Sequence, residues 1–327
     1  MNQQLKAKVL KINDSASFKN LALEIFLFQY KNNEIYRKFI DYLSVDVSKI
    51  NRVEKIPFMP IEFFKNFEIK SRNFVPQKVF ESSGTTGMQT SKHFVRDLDF
   101  YKEVSQKAFE KFFGSMENKV FLALLPSYSE RENSSLIFMV NHFMSLSKNE
   151  HSSYYLYNHD ELYNKLEELS SSDLEVFLFG VTFALLDFSN KYSVNFPNLK
   201  IVETGGMKGR GVEPIREEVH QKLKKSFGVN SVFSEYGMTE LLSQAYITEH
   251  QKFQTPPWLK ILIRSSNDPL QVGNSGKGLI NIVDLANIDS CSFIATDDIG
   301  EVFEDGSFKI SGRADSSPMR GCSLLTL

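Results

Sequence analysis

Apolar residues recur along the chain at two different periods, and the first of these is helical. Within residues 17–43 they return every three or four positions, the spacing of a helix with one buried face. Asn32 and Asn33 interrupt the pattern, as residues that favour turns do. We therefore predict two opening helices divided at this pair. In residues 56–69, two prolines then predict an extended chain leading into a short apolar segment.

Farther along, short continuous apolar runs predict buried strands. The clearest runs are KVFLALL (119–125), LEVFLFG (174–180), LKIVETG (199–205) and NSVFSEYG (230–237). Amphipathic stretches such as PIREEVHQKLKKSFG (214–228) separate them and predict helices. This alternation predicts an α/β fold with mostly parallel sheets flanked by helices.

From Lys260 onward the pattern changes to short β-rich runs separated by Asn, Gly and Asp. It predicts hairpins, one of them with a turn at Asp305-Gly306. We see neither internal repeats nor a linker, so we predict a single multilobed domain. Within it we expect N-terminal helices (1–50), an α/β core (51–258), and a smaller β-rich lobe with the C-terminal tail (259–327).

Composition narrows the class of protein. The 38 Lys and Arg nearly balance the 40 Asp and Glu, which disfavours a nucleic acid or an anionic membrane as partner. The first residues lack the apolar run of a signal peptide, and no transmembrane stretch appears, so we expect a cytoplasmic protein. Cys291 and Cys322 are the only cysteines, which predicts neither a disulfide framework nor a cysteine metal site.

The first candidate for chemistry is the segment ESSGTTG at residues 81–87, which follows a short apolar run. Its glycines permit a tight turn, and its hydroxyls and amides offer hydrogen-bond donors to phosphate oxygens. The segment lacks the Gly-Lys-Ser/Thr ending of a P-loop, so we disfavour that class of nucleotide-binding protein. Taken alone, the segment is better explained as an ordinary surface turn.

Two later segments combine groups that suit a nucleotide. SEYGMTE (234–240) follows a predicted strand and offers an aromatic ring, a hydroxyl and carboxylates, which could stack on a base, contact phosphate and hold Mg²⁺. TDDIG (296–300) and GRAD (312–315) place a carboxylate and a guanidinium where they could bind a ribose diol. The alternatives are an ordinary strand end and solvated turn charges.

In this order and spacing, the segments resemble the signature motifs of the adenylate-forming superfamily, which includes acyl-CoA synthetases and nonribosomal peptide adenylation domains. The resemblance implies a phosphate-binding loop at Ser82, Ser83, Gly84, Thr85, Thr86 and Gly87. It also implies adenine stacking by Tyr236, an α-phosphate contact at Thr239, an Mg²⁺ ligand at Glu240, ribose binding by Asp298, an arginine near the hinge at Arg313, and an adenine pocket lined by Thr204, Gly205 and Gly206.

Three longer stretches are similar to the acyl-protein synthetase (LuxE-type) family. They are IPFMPIEFFKNFEI (56–69), LLPSYSERENSSLIFMV (124–140) and GRADSSPMRGCSLLTL (312–327), and the resemblance runs from about Ile56 to Cys322. It implies that ATP and Mg²⁺ activate a long-chain fatty acid to acyl-AMP with release of pyrophosphate. The acyl group would then pass to Cys322, for delivery to a partner such as the fatty-acid reductase of bacterial bioluminescence or an acyltransferase.

The sequence departs from the wider superfamily at two points. The lysine usual after the glycine-rich loop has no exact counterpart, and Lys92 is the nearest. Only five residues follow Cys322, so we expect the mobile C-terminal domain with its catalytic lysine to be absent. Arg320 could favour the Cys322 thiolate. Transfer to coenzyme A or to a carrier protein stays open as an alternative, as does a non-catalytic nucleotide-binding relative.

The remaining candidate side chains have simpler explanations. We expect Cys291 to belong to the core, because its surroundings read as an apolar strand. His93 and His142 have no carboxylate or nucleophile at informative spacing, so we expect packed or surface histidines. Arg131 and Glu132 lie in one of the family-like stretches, but a salt-bridged loop explains them equally well.

Overall fold

In the computed structural model, the described residues are 2–82, 89–127, 129, 131–206, 215–248 and 251–314. Within them the helices are α1 (Asn2–Val9), α2 (Ser15–Asn32), α3 (Glu34–Tyr42), α4 (Phe63–Asn66), α5 (Leu98–Phe113), α6 (Ser135–Ser147), α7 (His159–Ser170), α8 (Thr182–Lys191) and α9 (Arg216–Phe227). Two short 3-10 helices lie at Val47–Lys49 and Val53–Lys55.

The strands in the same residues are β1 (Met59–Pro60), β2 (Lys78–Glu81), β3 (Lys92–Val95), β4 (Val120–Leu124), β5 (Ser153–Tyr154), β6 (Val176–Gly180), β7 (Lys200–Glu203), β8 (Phe233–Tyr236), β9 (Ala245–Ile247), β10 (Phe253–Gln254), β11 (Leu259–Arg264), β12 (Val272–Gly273), β13 (Gly276–Asp284), β14 (Phe293–Val302) and β15 (Phe308–Arg313). All except β2 and β3 belong to one large sheet, and those two form a separate hairpin.

The opening helices α2 and α3 meet at Asn33, as the sequence predicted. The Asn33 backbone N–H donates to the Gln29 carbonyl at 2.7 Å and closes α2. Its side chain accepts from the backbone N–H of Tyr36 at 3.0 Å and caps the start of α3. A short polar side chain satisfies the free amides of a helix start in this way, so one residue ends one helix and begins the next.

The large sheet has a parallel part and an antiparallel part. Strands β5, β4, β6, β7 and β8 lie side by side and are parallel. The four apolar runs of the sequence supply β4, β6, β7 and β8, so the prediction of a parallel sheet is confirmed for this part. From β8 the sheet continues in the order β9, β10, β15, β14, β13, β11, β12, with antiparallel pairing throughout.

The predicted hairpin turn at Asp305-Gly306 is confirmed between β14 and β15. Gly306 has a φ of +81°, a value that side chains disfavour, and its N–H donates to the Phe303 carbonyl at 2.9 Å. The antiparallel register across this hairpin places Asp298 directly opposite Arg313. Both residues belong to the segments TDDIG and GRAD, which the sequence predicts to bind a ribose.

Alternating side chains of the parallel strands enter two separate cores. In β4, Phe121 and Ala123 face the core that also contains α5, α6 and the N-terminal helices, whereas Leu122 and Leu124 face the core with α7, α8 and α9. Both faces are therefore apolar, as expected of strands covered by helices on both sides. Much of the abundant phenylalanine lies here, with Phe109 in contact with six other aromatic rings of the described residues.

These elements confirm the α/β class. The division into lobes at residues 50 and 258 stays a prediction. No helix within the described ranges combines the length and apolar character needed to cross a bilayer. Because β6, β7 and β8 are parallel neighbours, the loops after them emerge at one edge of the sheet, the position where open α/β sheets bind ligands.

Candidate active site

A glycine pair follows β7 at this edge of the sheet. Gly205 and Gly206 have φ angles of +73° and +94°, which other residues adopt only with strain. Their carbonyls accept from the backbone N–H groups of Thr182 and Phe183 at 3.2 and 3.4 Å, at the start of α8. The predicted Gly-Gly segment is therefore a backbone turn that joins the ends of β6 and β7.

Glu203 holds this turn in place, and sequence reasoning missed it. The side chain is buried, and its Oε1 accepts from the Gly205 backbone N–H at 2.8 Å and from the Thr182 hydroxyl. Its Oε2 accepts from the hydroxyl of Ser234 on the neighbouring strand at 3.2 Å. The carboxylate thus joins the turn after β7 to β8. The available signal was a lone acid at the end of a buried strand, directly before a Thr-Gly-Gly sequence.

Tyr236, Asp298 and Arg313 lie together at the end of β8. The Tyr236 hydroxyl donates to Asp298 Oδ2 at 2.6 Å, and Arg313 Nε lies 3.3 Å from Asp298 Oδ1. Burial and the Asp298 carboxylate raise the pKa of Tyr236 well above its usual value, so the hydroxyl keeps its proton. The ring packs against Phe253 and Phe308, with centroids 5.6 and 5.4 Å away.

Ser82, at the start of the glycine-rich segment, is linked to Glu240 through Ser91. The Ser91 backbone N–H donates to the Ser82 hydroxyl at 2.9 Å, and the Ser82 N–H donates to the Ser91 carbonyl at 3.1 Å. The Ser91 hydroxyl in turn donates to the Glu240 carboxylate. The structure therefore brings the beginning of the first motif to the acid of the second, across a long separation in sequence.

Glu240 is a buried carboxylate with few internal partners. The residue is 5% exposed, and burial raises its pKa above the usual value. The Ser91 hydrogen bond and the positive charges of Arg313 and Lys65 oppose that rise. A carboxylate that has lost most of its water without a full set of protein donors is poised to receive a cation or a ligand.

Two buried side chains hold the backbone of Thr239 and Glu240 in place. His93 Nδ1 donates to the Thr239 carbonyl at 2.8 Å, and Asn287 Nδ2 donates to the Glu240 carbonyl at 2.7 Å. Burial lowers the pKa of His93 to about 4, so the imidazole is neutral and serves as a donor. The prediction of a packed histidine is confirmed for His93, but no local pattern indicates that it supports the second motif.

Asp284 anchors the continuation of the same loop. Its carboxylate accepts from the backbone N–H groups of Leu242, Ser243 and Ala286 at 2.9, 3.0 and 3.1 Å. It also accepts from the Ser243 hydroxyl at 2.6 Å. The residue is fully buried at the end of β13, so the loop after β8 is bound to the antiparallel part of the sheet.

Other predicted residues lie elsewhere or outside the described residues. Ser83, Gly84, Thr85, Thr86, Gly87 and Cys322 all lie outside the described residues. Cys291 is fully buried, and burial raises its thiol pKa to about 12, which confirms that it belongs to the core. Glu132 lies 3.8 Å from Lys78, in agreement with the salt-bridged loop. Lys92 lies 3.9 Å from Glu81.

The side-chain oxygens of this site suit a hard cation that takes most of its ligands from the bound substrate and from water. The described residues contain no cluster of three or more His, Cys, Asp or Glu side chains that could hold a metal ion. Mg²⁺ commonly binds through one or two carboxylates together with substrate phosphates and water. The buried, partly satisfied carboxylate of Glu240 fits that arrangement, whereas a transition-metal site would need more protein ligands.

The chain is similar in sequence to known ligases. The profile of the family described as "Acyl-protein synthetase, LuxE" matches residues 11–326. The chain is 24% identical over 331 residues to the long-chain-fatty-acid–luciferin-component ligase of Aliivibrio fischeri, covering 93% of the chain and 86% of the relative. It is also 24% identical over 339 residues to the ligase of the same name from Vibrio harveyi, covering 91% and 84%.

Solved structures share the fold. An open conformation of 2-hydroxyisobutyryl-CoA ligase, in complex with 2-HIB-AMP and CoA, superposes with a TM-score of 0.69 at 11% identity, covering 95% of this chain and 78% of that one. ATP-bound MatB from Rhodopseudomonas palustris superposes with a TM-score of 0.55 at 13% identity, covering 74% and 49%. At such low identity the likeness concerns the fold alone, and it confirms the predicted adenylate-forming architecture.

Proposed function

The chain belongs to the acyl-protein synthetase, LuxE, family, and we propose that it activates a long-chain fatty acid with ATP. It is a ligase with the adenylate-forming fold. Both similar ligases are named for long-chain fatty acids, which supports that substrate class. The observation that carries the proposal is the meeting of Tyr236, Glu240, Asp298 and Arg313 at the carboxyl ends of the parallel strands.

We infer a division of labour for binding ATP. Tyr236 and the Gly205-Gly206 turn would receive the adenine, because a ring and a flat stretch of backbone both accept a planar base. Asp298 would accept hydrogen bonds from the ribose hydroxyls, with Tyr236 and Arg313 fixing its orientation at 2.6 and 3.3 Å. Ser82 and the residues up to Gly87 would bind phosphate, together with the Thr239 hydroxyl.

Activation is an in-line displacement at phosphorus. A carboxylate oxygen of the fatty acid would bond to the α-phosphorus, and the bond from that phosphorus to the bridging oxygen would break, so that pyrophosphate leaves with the electron pair. Mg²⁺ on Glu240 would offset negative charge on the phosphates. The protein's own contribution would be positioning and preorganised charge, since the Thr239–Glu240 backbone is already held by His93 and Asn287.

Acyl transfer to a cysteine is the second part of the proposal. The Cys322 thiolate would attack the acyl carbonyl of the adenylate, the carbon–oxygen bond to phosphate would break, and AMP would leave. The thioester would then supply a reductase or acyltransferase partner. Membership of a family of acyl-protein synthetases supports an acceptor on the protein itself. Cys291 does not compete for this role, because it is fully buried and protonated.

The test is acid-dependent exchange of labelled pyrophosphate into ATP, measured with Mg²⁺ across fatty acids of several chain lengths. We expect exchange with wild type and with Cys322→Ala, and stable labelling of the protein by radioactive fatty acid with wild type alone. Labelling retained in Cys322→Ala would refute the carrier role. AMP release that requires coenzyme A would favour a CoA ligase, and ATP binding without exchange for any acid would favour a non-catalytic relative.

A further inference from the structure

Lys65 lies beside the Thr239–Glu240 segment, although it comes from a different part of the chain. It belongs to α4, where its neighbour Phe64 is buried. The Phe64 ring meets the edge of the His93 imidazole, with centroids 6.0 Å apart, and His93 in turn donates to the Thr239 carbonyl. Because Phe64 points into the protein and Lys65 is exposed, the ammonium extends from α4 on the solvent side of this contact.

The backbone of Lys65 is also tied to the hairpin that carries the phosphate-binding motif. Gln89 Nε2 donates to the Lys65 carbonyl at 2.6 Å. Two residues after Gln89, Ser91 makes its paired hydrogen bonds with Ser82 and donates to Glu240. The Lys65 backbone is therefore tied to the hairpin that links Ser82 to the buried acid of the second motif.

Lys65 differs from nearby lysines in its charge environment. Lys70 lies 2.7 Å from Glu68, and Lys92 lies 3.9 Å from Glu81. Among the residues that the structure describes, no carboxylate lies within ion-pair distance of the Lys65 ammonium. Its charge nevertheless reaches the site, since burial raises the Glu240 pKa while Ser91, Arg313 and Lys65 oppose that rise.

We propose that Lys65 binds the phosphate chain of the nucleotide substrate, taking the place of the lysine that the glycine-rich motif lacks. The inference rests on the proposed function. A polyphosphate brings several negative charges to a site that already contains a buried carboxylate, so a nearby cation is required. An ammonium on a flexible four-carbon stem can follow the phosphates between substrate and product. Lys92, although nearer in sequence, is paired with Glu81.

The experiment is calorimetric titration of wild type, Lys65→Met and Lys65→Arg with ATP, AMP and inorganic pyrophosphate, all with Mg²⁺. The matched control is Lys49→Met, because the Lys49 side chain is 82% exposed and forms an ion pair with Asp46 three residues earlier. We expect Lys65→Met to weaken the binding of ATP and of pyrophosphate by about tenfold or more and that of AMP by less than about twofold. Lys65→Arg should recover most of the loss, and Lys49→Met should match wild type.

Four results would overturn the assignment. Unchanged ATP and pyrophosphate affinity in Lys65→Met would show that the ammonium does not bind phosphate. An equal loss of affinity for AMP and ATP would show that Lys65 affects nucleoside binding or the fold and not the phosphate chain. The melting temperatures of Lys65→Met and Lys65→Arg would distinguish these two explanations. If Lys92→Met instead produced the selective loss, the role would belong to Lys92. Failure of wild type to bind ATP at all would refute the proposed function itself, and this assignment with it.

Discussion

Two buried carboxylates meet at the loop that follows β8, and they differ in their hydrogen-bond partners: Glu240 belongs to the loop, and Asp284 binds its backbone from the end of β13. Asp284 is fully buried and accepts hydrogen bonds from four donors: three backbone N–H groups and the Ser243 hydroxyl. Glu240 is 5% exposed, and the donors to its carboxylate among the described residues are the Ser91 hydroxyl and its own backbone N–H. Burial raises the pKa of both carboxyls, but only Asp284 has a full set of donors in return.

The difference separates a structural carboxylate from a functional one. A buried acid whose lone pairs are all occupied stabilises the fold and has nothing left to offer a ligand. A buried acid with vacant lone pairs destabilises the fold until something binds it, which is the condition expected at an active site. The Asp284 network thus supports the loop, and the same loop presents Glu240 to its ligand.

Replacing Glu240 by Ala tests the functional side of this comparison and should have the largest effect. We expect acid-dependent pyrophosphate exchange to fall by about 10²–10³-fold, because charge stabilisation on the phosphates is lost. The free energy of unfolding should stay within about 1 kcal/mol of wild type, since few bonds are broken. Urea denaturation gives this second value. Glu117→Ala, on the surface, is the control; equal exchange in both variants would contradict the assignment.

Replacing Asp284 by Asn tests the structural side. The new amide group would face donors, so at least one backbone N–H would lose its partner. We expect the free energy of unfolding to fall by roughly 3 kcal/mol in urea denaturation. Exchange activity should survive at low temperature, where the variant is still folded. Complete loss of exchange with unchanged stability would show that Asp284 is a functional residue, and the two acids would then not differ as proposed.

A third buried acid, Glu235, makes the stability of the fold depend on pH. Burial and the neighbouring Glu203 raise the pKa of Glu235 from 4.5 to about 8. Between these pH values the native state keeps a proton that the unfolded state has lost. Stability from this group is therefore complete below pH 4.5, declines as pH rises, and is lost above about pH 8.

Glu235→Gln should remove this decline, because an amide does not titrate. We expect the free energy of unfolding of wild type, relative to the variant, to drop by about 2 kcal/mol between pH 6 and pH 8. Parallel urea titrations of both proteins at several pH values measure the difference. Two curves that run parallel through this range would show that Glu235 is already ionised in the folded protein.

Tyr236→Phe should give the smallest effect, since it removes one hydrogen bond and keeps the ring. Asp298 would lose the donor at 2.6 Å but would retain Arg313. We expect the KM for ATP in the exchange reaction to rise about fivefold with little change in kcat. Tyr30→Phe is the matched control, because its hydroxyl donates to Asp41 at 2.9 Å on the surface. Identical KM changes in the two variants would contradict the assignment of Asp298 to ribose binding.

Local patterns in the sequence were enough to predict the elements that carry the site. The Asn32-Asn33 break, the runs that became β4, β6, β7 and β8, and the turn at Asp305-Gly306 all depend on neighbours a few residues apart. Side-chain periodicity and turn chemistry operate at that range, so a single sequence reveals them. The motif residues Tyr236, Glu240, Asp298 and Arg313 were found in the same way, as short strings after predicted strands.

The supporting residues could not be found in this way, because their roles arise between distant segments. Nothing local marks His93 as the partner of Thr239, Asn287 as the partner of Glu240, or Ser91 as the link to Ser82. The sequence draws attention to Lys92, which is the nearest lysine to the glycine-rich segment but lies in an ion pair with Glu81. It does not indicate Lys65. Hydrogen bonds of this kind depend on which strands become neighbours, and the order of the strands along the chain does not give that.

The sequence by itself determined the class of fold, the family resemblance and the short motifs predicted to bind a nucleotide, because each of these depends on residues that are close together in the chain. The tertiary structure alone decided which buried acid is satisfied and which is left vacant. Asp284 is the last residue of β13, and Glu240 lies in the loop after β8, so both acids stand at the end of a strand. The number of donors around each depends on the packing of β8 against the antiparallel strands, and burial with fewer donors is what separates Glu240 from Asp284.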